Sequence, residues 1–548
     1  MLRALTLVLC CCLIPALPAL AGGPARDMAR EAHAALLDGD AALALDLATR
    51  ALDSGELDRE DQAVTLKVRG AARHALGDPR AALADYSQAV ALFPHYAEAF
   101  VNRAAAWFDL GDAAAALADL DTALQFKPDA EPAYFNRARV REAMGDAAGA
   151  VRDYNAALLL APDNPQALVA RARLYAGLNA PDLALADYDR AAELAPDAAE
   201  PFLGRGSLRL RKGDLAGAEA DFRRAAGLAP DLASPRLGLA QAARARQDLR
   251  QAEAELDAAL RLDPALGQAH NDRGALREAA GRFKEALEDY TRAVELARSA
   301  AEAAAALANR GMAARRLGRL PAAATDLAKA AALVPESARY HALHGEILLD
   351  LGDPAAAEAD LDRALALGSP PADARFVRAE ARRRLGRLAD AETDLAACLE
   401  TSCHPLAALR RGLVRLALDR PDEAAADLRP GAGPGAPNTA ILLHLAEVRA
   451  GRAGDPELLR RTRKALKNAW PAPVLRFLVA EIPAGDLEAA AGREAERATL
   501  AALAVAWTQA AKGQRVEAVR TLRAAEPQAP PASPWTTLLR AELNRLGF

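Results

Sequence analysis

The chain has 548 residues, 26% of them charged, a formal net charge of −5 and only 4% aromatic residues. That length exceeds one ordinary compact core, and the predominance of Ala, Leu, Arg, Glu and Asp points to helices. A near-neutral balance with no basic tail or run excludes the electrostatic footprint of a nucleic-acid binder.

The opening element, MLRALTLVLCCCLIPALPALAGG, stands apart from the rest. Arg3 supplies a short positive start, Leu5 to Leu17 an apolar stretch, and Ala19-Leu20-Ala21 a small-x-small cleavage pattern. Residues 1–21 are therefore expected to be a secretory signal peptide. An uncleaved membrane anchor is the alternative; Pro15, Pro18 and the short apolar length count against it. Val8-Leu9 before Cys10 do not fit a lipoprotein signal. The mature chain is expected to be exported, periplasmic or otherwise extracytoplasmic, with no later run approaching a membrane span.

Residues 22–62 read as a divergent repeat, with Ala32, Gly39, Ala44 and Ala51 at small-residue positions. From there a unit of 34 residues recurs, beginning at Ala63, Ala97, Glu131, Pro165, Ala199, Ala233 and Gly267. After a three-residue insertion it resumes at Ala304, Ala338, Ala372 and Pro405, giving eleven tandem units over 63–428. Position 8 is small (Gly70, Ala104, Gly206, Gly274), position 20 is Ala nearly throughout, and position 24 is large (Tyr86, Leu120, Tyr154, Phe222, Tyr290). Small residues let two helices approach while large ones fill the gap. Gly at 15 and Asp at 16, as in Gly111-Asp112 and Gly145-Asp146, end one helix and cap the next, and Pro at 32 stops the second. One helix pair cannot bury its apolar faces, so neighbours must stack.

Position 7 breaks the apolar pattern. It is Arg in Arg69, Arg103, Arg137, Arg171, Arg205, Arg273, Arg310, Arg378 and Arg411. Each of those units has Asp at position 23: Asp85, Asp119, Asp153, Asp187, Asp221, Asp289, Asp326, Asp394 and Asp427. The unit with Leu239 has Glu255 instead. Positions 7 and 23 lie at comparable height on two antiparallel helices, so each pair is expected to bridge its unit as a structural ion pair. A half-buried arginine needs its carboxylate, since an unpaired charge there costs several kcal/mol.

After Leu428 comes RPGAGPGAPN, a Pro/Gly linker over 429–438. Divergent helical repeats follow over 439–530, and WTTLLRAELNRLGF suits a C-terminal capping helix within 531–548.

The period, the small-residue grammar and the terminal proline resemble the tetratricopeptide repeat, from about Ala63 to Leu428. The resemblance implies an all-α, right-handed superhelical solenoid of stacked antiparallel helix pairs. Two departures stand out: the family's aromatic at position 11 is kept only as Trp107 and Tyr175, and its leucine at position 7 is mostly Arg. The family's concave groove is lined by first-helix positions 2, 5, 6, 9, 12 and 13. Here that implies a groove containing Asn102, Asn136 and Asn309 at position 6, with Arg139 and Arg173 at position 9. Exposed asparagines could hydrogen-bond an extended peptide backbone, and the arginines favour a segment carrying carboxylates; solvation of an open groove is the other reading of the asparagines. The chaperone-adaptor carboxylate clamp fits poorly, since Lys67 and Asn102 match two roles but Ala71, Pro132 and Asn136 break others. Arg315, Arg316, Arg383 and Arg384 form a second arginine-rich face.

Removing the leader leaves Cys398 and Cys403, close enough for a local disulfide, though Cys398 also falls where most units place a small buried residue. With His404 they lack a fourth zinc ligand. His341 and His344 sit three apart on one helix but at positions 4 and 7, where packing is the expected role. No nucleophile elbow, phosphate loop or zincin motif occurs in the sequence. The reading is therefore a non-catalytic exported scaffold, without cofactor or metal, binding protein or peptide segments in envelope assembly. An envelope-polysaccharide or cell-wall-associated solenoid serving a biosynthetic or secretion machine is the alternative.

Overall fold

The computed structural model describes residues 23–368, 371–467 and 469–547, so the expected leader at 1–21 lies outside the described residues. Among these residues there are 31 α-helices and no strand, and the helices follow one another as stacked antiparallel pairs. The all-α expectation therefore holds. Two compact units divide the chain, Met1–Pro264 and Ala265–Phe548.

In the first unit, Pro24–Leu37 and Ala41–Asp53 form the opening pair. Arg59–Ala75 with Pro79–Leu92 and Ala97–Asp109 with Ala113–Phe126 come next, followed by Glu131–Ala143 with Ala147–Leu160 and three further pairs ending at Leu262. The helix carrying Ala63 begins earlier than the repeat boundary, at Arg59. Asp58 accepts a hydrogen bond from the Asp61 backbone N–H and caps that earlier start.

The second unit opens with Gly267–Ala279 and Phe283–Leu296. The insertion before Ala304 becomes an extra turn of helix, Ala300–Arg316, capped by Ser299. Pairs Ala338–Leu351 with Pro354–Ala366, Ala374–Arg384 with Leu388–Glu400, and Ala407–Ala417 with Pro421–Leu428 complete the regular series. The Pro/Gly stretch is one 3-10 turn, Arg429–Gly431, and Pro437 already opens the next helix, so helix takes the end of the expected linker. Divergent helices run from there to Ala525, and Pro534–Arg545 is the last.

The chain turns where the grammar says it should. Gly111 adopts φ +88° and Asp112 then accepts from the Ala115 N–H at 2.9 Å. Where glycine is missing, Asn179, Gln247 and Asp419 take the left-handed conformation. Packing explains the small residues: a Cβ on Gly70 would lie 2.7 Å from the Tyr86 ring, and one on Gly274 would lie 2.8 Å from Tyr290. Ala104 is accommodated because its partner is Leu120, and both are fully buried.

Candidate functional site

Each position-7 arginine meets the position-23 aspartate of its own repeat, with N···O distances between 2.5 and 2.7 Å in all nine. The aspartates are buried or nearly so, and the arginines lie over position-4 aromatics where these exist, as Arg137 over Tyr134. In six repeats a second arginine, at position 11, takes the other carboxylate oxygen: Arg73, Arg141, Arg209, Arg277, Arg382 and Arg415. The bridge also reaches backwards. Arg137, Arg205 and Arg378 each donate to an aspartate of the preceding repeat, Asp121, Asp189 and Asp362 respectively. Glu255 is held by Arg236 at 3.1 Å, so Leu239 costs its repeat no ion pair. These charges clamp each helix pair and fasten neighbouring repeats.

The asparagines are not where an exposed ladder requires them. Asn102 is 1% exposed and Asn136 is 0% exposed. Asn309 shows the reason: its Nδ2 donates to Asn271 of the preceding repeat at 3.0 Å. Position 6 thus turns toward the preceding first helix rather than toward open solvent, and the expectation of exposed backbone-reading asparagines is corrected. Lys67 is buried as well, 2% exposed and 5.7 Å from the Tyr96 ring centroid, which removes it from any clamp.

What the first helices do present is a cationic cluster. Arg173 is exposed, and its guanidinium reaches Glu142 at 2.8 Å, while the Tyr154 hydroxyl donates to the same carboxylate at 3.3 Å. Burial pushes the Arg139 guanidinium below its ordinary value; Tyr154 opposes this and Arg173 adds to it. Burial also pushes the Tyr154 and Tyr188 hydroxyls up, with Arg173 pulling back on both. Arg211 acts on Tyr188 in the same way. Arg139 and Arg173 therefore lie about the Glu142 carboxylate, and Arg211 lies with Arg173 beside Tyr188. Beside them Asp109 is taken by His74 at 2.7 Å. Arg139 and Arg173 were legible in the sequence; Glu142 and Arg211 were not singled out, although both lie on first-helix positions 12 and 13.

Three of the four arginines on the second unit's arginine-rich face are used internally, and Arg316 is exposed. Arg315 pairs with Glu346 and Asp350, and Arg384 donates to the Leu349 carbonyl. Arg383 is buried; it donates to the Ala532 carbonyl at 2.8 Å and to Thr537, and pairs with Glu380. The C-terminal helix is thereby seated on the first helices, with Glu542 on Arg449 at 2.8 Å and Trp535, Leu538 and Leu539 buried. The expectation that Arg383 and Arg384 offer a free binding face is corrected, because the chain's own C-terminal segment occupies it.

Cys398 and Cys403 are joined as a disulfide, with Cα atoms 5.0 Å apart, and His404 stacks on Phe376. His341 and His344 both face Asp360. Among the described residues, no group of three or more His, Cys, Asp and Glu is placed to hold a metal ion, and no helix is long and apolar enough to cross a membrane.

A family model described as "Tetratricopeptide repeat" matches residues 69–131, 135–199, 170–233, 237–301, 279–338 and 343–402, together more than half of the chain. No curated protein matches. Similar solved structures include a tetratricopeptide repeat protein from Parabacteroides merdae, with 20% identity, 52% of this chain and 97% of that chain covered, and a TM-score of 0.34. The Cut9–Hcn1 hetero-tetramer of the APC/C matches at 16% identity over 78% of this chain and 97% of that chain, with a TM-score of 0.41. YrrB, described as a TPR protein with an unusual peptide-binding site, matches at 22% identity over 34% of this chain and 95% of that chain, with a TM-score of 0.30.

Proposed function

We propose that this chain, which belongs to the tetratricopeptide repeat family, is a non-catalytic exported scaffold whose first-helix face around Arg139 and Arg173 holds an acidic, extended segment of an envelope protein. The observation that carries the reading is the charge of that face. Arg139 and Arg173 gather about the single carboxylate of Glu142 and Arg211 stands beside Tyr188, whereas the position-7 and position-11 arginines named above are spent in helix-pair bridges. Opposite charge on a partner would steer its approach and set its register. Export is supported by the leader pattern and by the Cys398–Cys403 disulfide, a bond that persists in oxidising compartments.

Selection of peptides from an unbiased displayed library tests the reading. Sequences rich in Asp and Glu should be enriched on the wild type and lost on an Arg139→Glu, Arg173→Glu double variant. They should be kept on Arg80→Glu, which alters an exposed arginine at the start of a second helix. Enrichment that ignores peptide charge, or survives the double variant, overturns the assignment of this face.

A further inference from the structure

Two repeats lack the position-7 arginine; in the one with Leu239 another arginine, Arg236, takes the position-23 carboxylate, and in the other a histidine does. In the unit beginning at Ala338, position 7 is His344, and its Nδ1 lies 2.5 Å from Asp360 Oδ2 at position 23. No second arginine supports it, since position 11 is Leu348. Ala328 occupies the place from which other repeats reach back with an aspartate. Instead a second histidine, His341, shares the same carboxylate, with Nδ1 3.4 Å from Asp360 Oδ1. Burial pushes the Asp360 carboxyl up, but hydrogen bonds and charge from His344 and then His341 outweigh it, so it stays an anion below its ordinary value.

The other ring nitrogen of His341 is the decisive atom. Its Nε2 stands 3.2 Å from the Arg363 Nε–H donor and 3.1 Å from the Pro335 carbonyl acceptor. A bare Nε2 can only accept, and a protonated one can only donate. Arg363 lies on the second helix of the same repeat, whereas Pro335 lies in the turn from the preceding repeat. Of the remaining charges on the packed elements, Arg375 is half-buried on the following helix, and the others named here are engaged elsewhere or exposed. Arg310 holds Asp326, Arg315 holds Glu346 and Asp350, Arg378 takes Asp362, and Arg382 and Arg387 take Glu358. Lys329, Glu336 and Arg339 are exposed.

We propose that the repeat of residues 338–366 is a pH-responsive joint operated by His341. Neutral, His341 accepts from Arg363 and ties together the two helices of its own repeat. Protonated, it faces a like charge on Arg363, gives up that contact and donates to Pro335, moving its hold to the neighbouring repeat. Histidine ordinarily changes charge between pH 5 and 8, and the arginine clamps of the other repeats do not.

Hydrogen exchange of the full chain at pH 7.5 and 5.5, expressed as protection factors, tests this. Protection of 354–366 should fall at least about threefold on acidification relative to 388–400, where Arg378 clamps Asp394. His341→Gln should remove that difference. Arg363→Ala provides a second route, because it takes away the cation that the protonated ring would face, and it should remove the difference too. A ratio between the two segments that stays constant with pH in the wild type, or that still falls in either variant as it does in the wild type, overturns the proposal.

Discussion

Arg141 and Asp153 are joined at 2.6 Å, so the carboxylate that Arg137 grips from one side is gripped from the other by a second arginine of the same helix. Position 11 is where the family carries an aromatic. Where an aromatic remains, as Trp107 and Tyr175, Asp119 and Asp187 each have the single position-7 arginine. The repeats thus come in doubly and singly clamped forms, and the two forms should respond differently to the same substitution.

Replacing Arg103 by Ala leaves Asp119, which is 7% exposed, without its arginine and should cost about 2–4 kcal/mol. Replacing Arg137 by Ala leaves Asp153 on Arg141 and should cost less, about 1–2 kcal/mol. Removing both Arg137 and Arg141 should bring the loss up to the Arg103→Ala level. Denaturant unfolding of the three variants checks the ordering.

The glycine–tyrosine contacts can be exchanged for the alanine–leucine contact of the Ala97 repeat. Gly70→Ala alone should destabilise by about 1–3 kcal/mol, because its Cβ would enter the Tyr86 ring. Adding Tyr86→Leu should recover part of that loss. A double-mutant cycle reads the coupling directly, and additive losses would show that the close approach is not what selects glycine.

Acid should loosen the seat of the C-terminal helix. Burial pushes the Glu380 carboxyl up, but Arg383, Arg410 and Arg384 outweigh it and hold it below its ordinary value. A carboxyl depressed in the fold contributes stability above its unfolded value, near pH 4.3, and that contribution is lost as pH falls through the folded value. The melting-temperature penalty of Glu380→Gln should therefore be largest near pH 7 and shrink below about pH 4.

Much of this was legible because the chain compares itself with itself. Nine position-7 arginines accompanied by nine position-23 aspartates identify a clamp without any structure, since a buried charge must be matched inside its own repeat. The Gly–Asp turns were legible for the same local reason. Asn102 and Asn136 were misplaced because position 6 lies beside the groove in sequence register, and only the spacing of successive first helices decides whether it faces solvent or its neighbour. Arg383 meeting Ala532 spans more than a quarter of the chain, and no periodicity reports a contact of that kind. His344 was already legible at position 7, where other repeats put arginine, but only the fold shows that both histidines share the Asp360 carboxylate.

The most direct measurement of the central claim is calorimetric titration of a library-selected acidic peptide at about 50 and 200 mM salt. Binding should weaken with salt, fall at least about tenfold on Arg139→Glu, Arg173→Glu, and return in part when the peptide's carboxylates are changed to lysines. Affinity that is indifferent to salt and unchanged in the double variant would contradict the account.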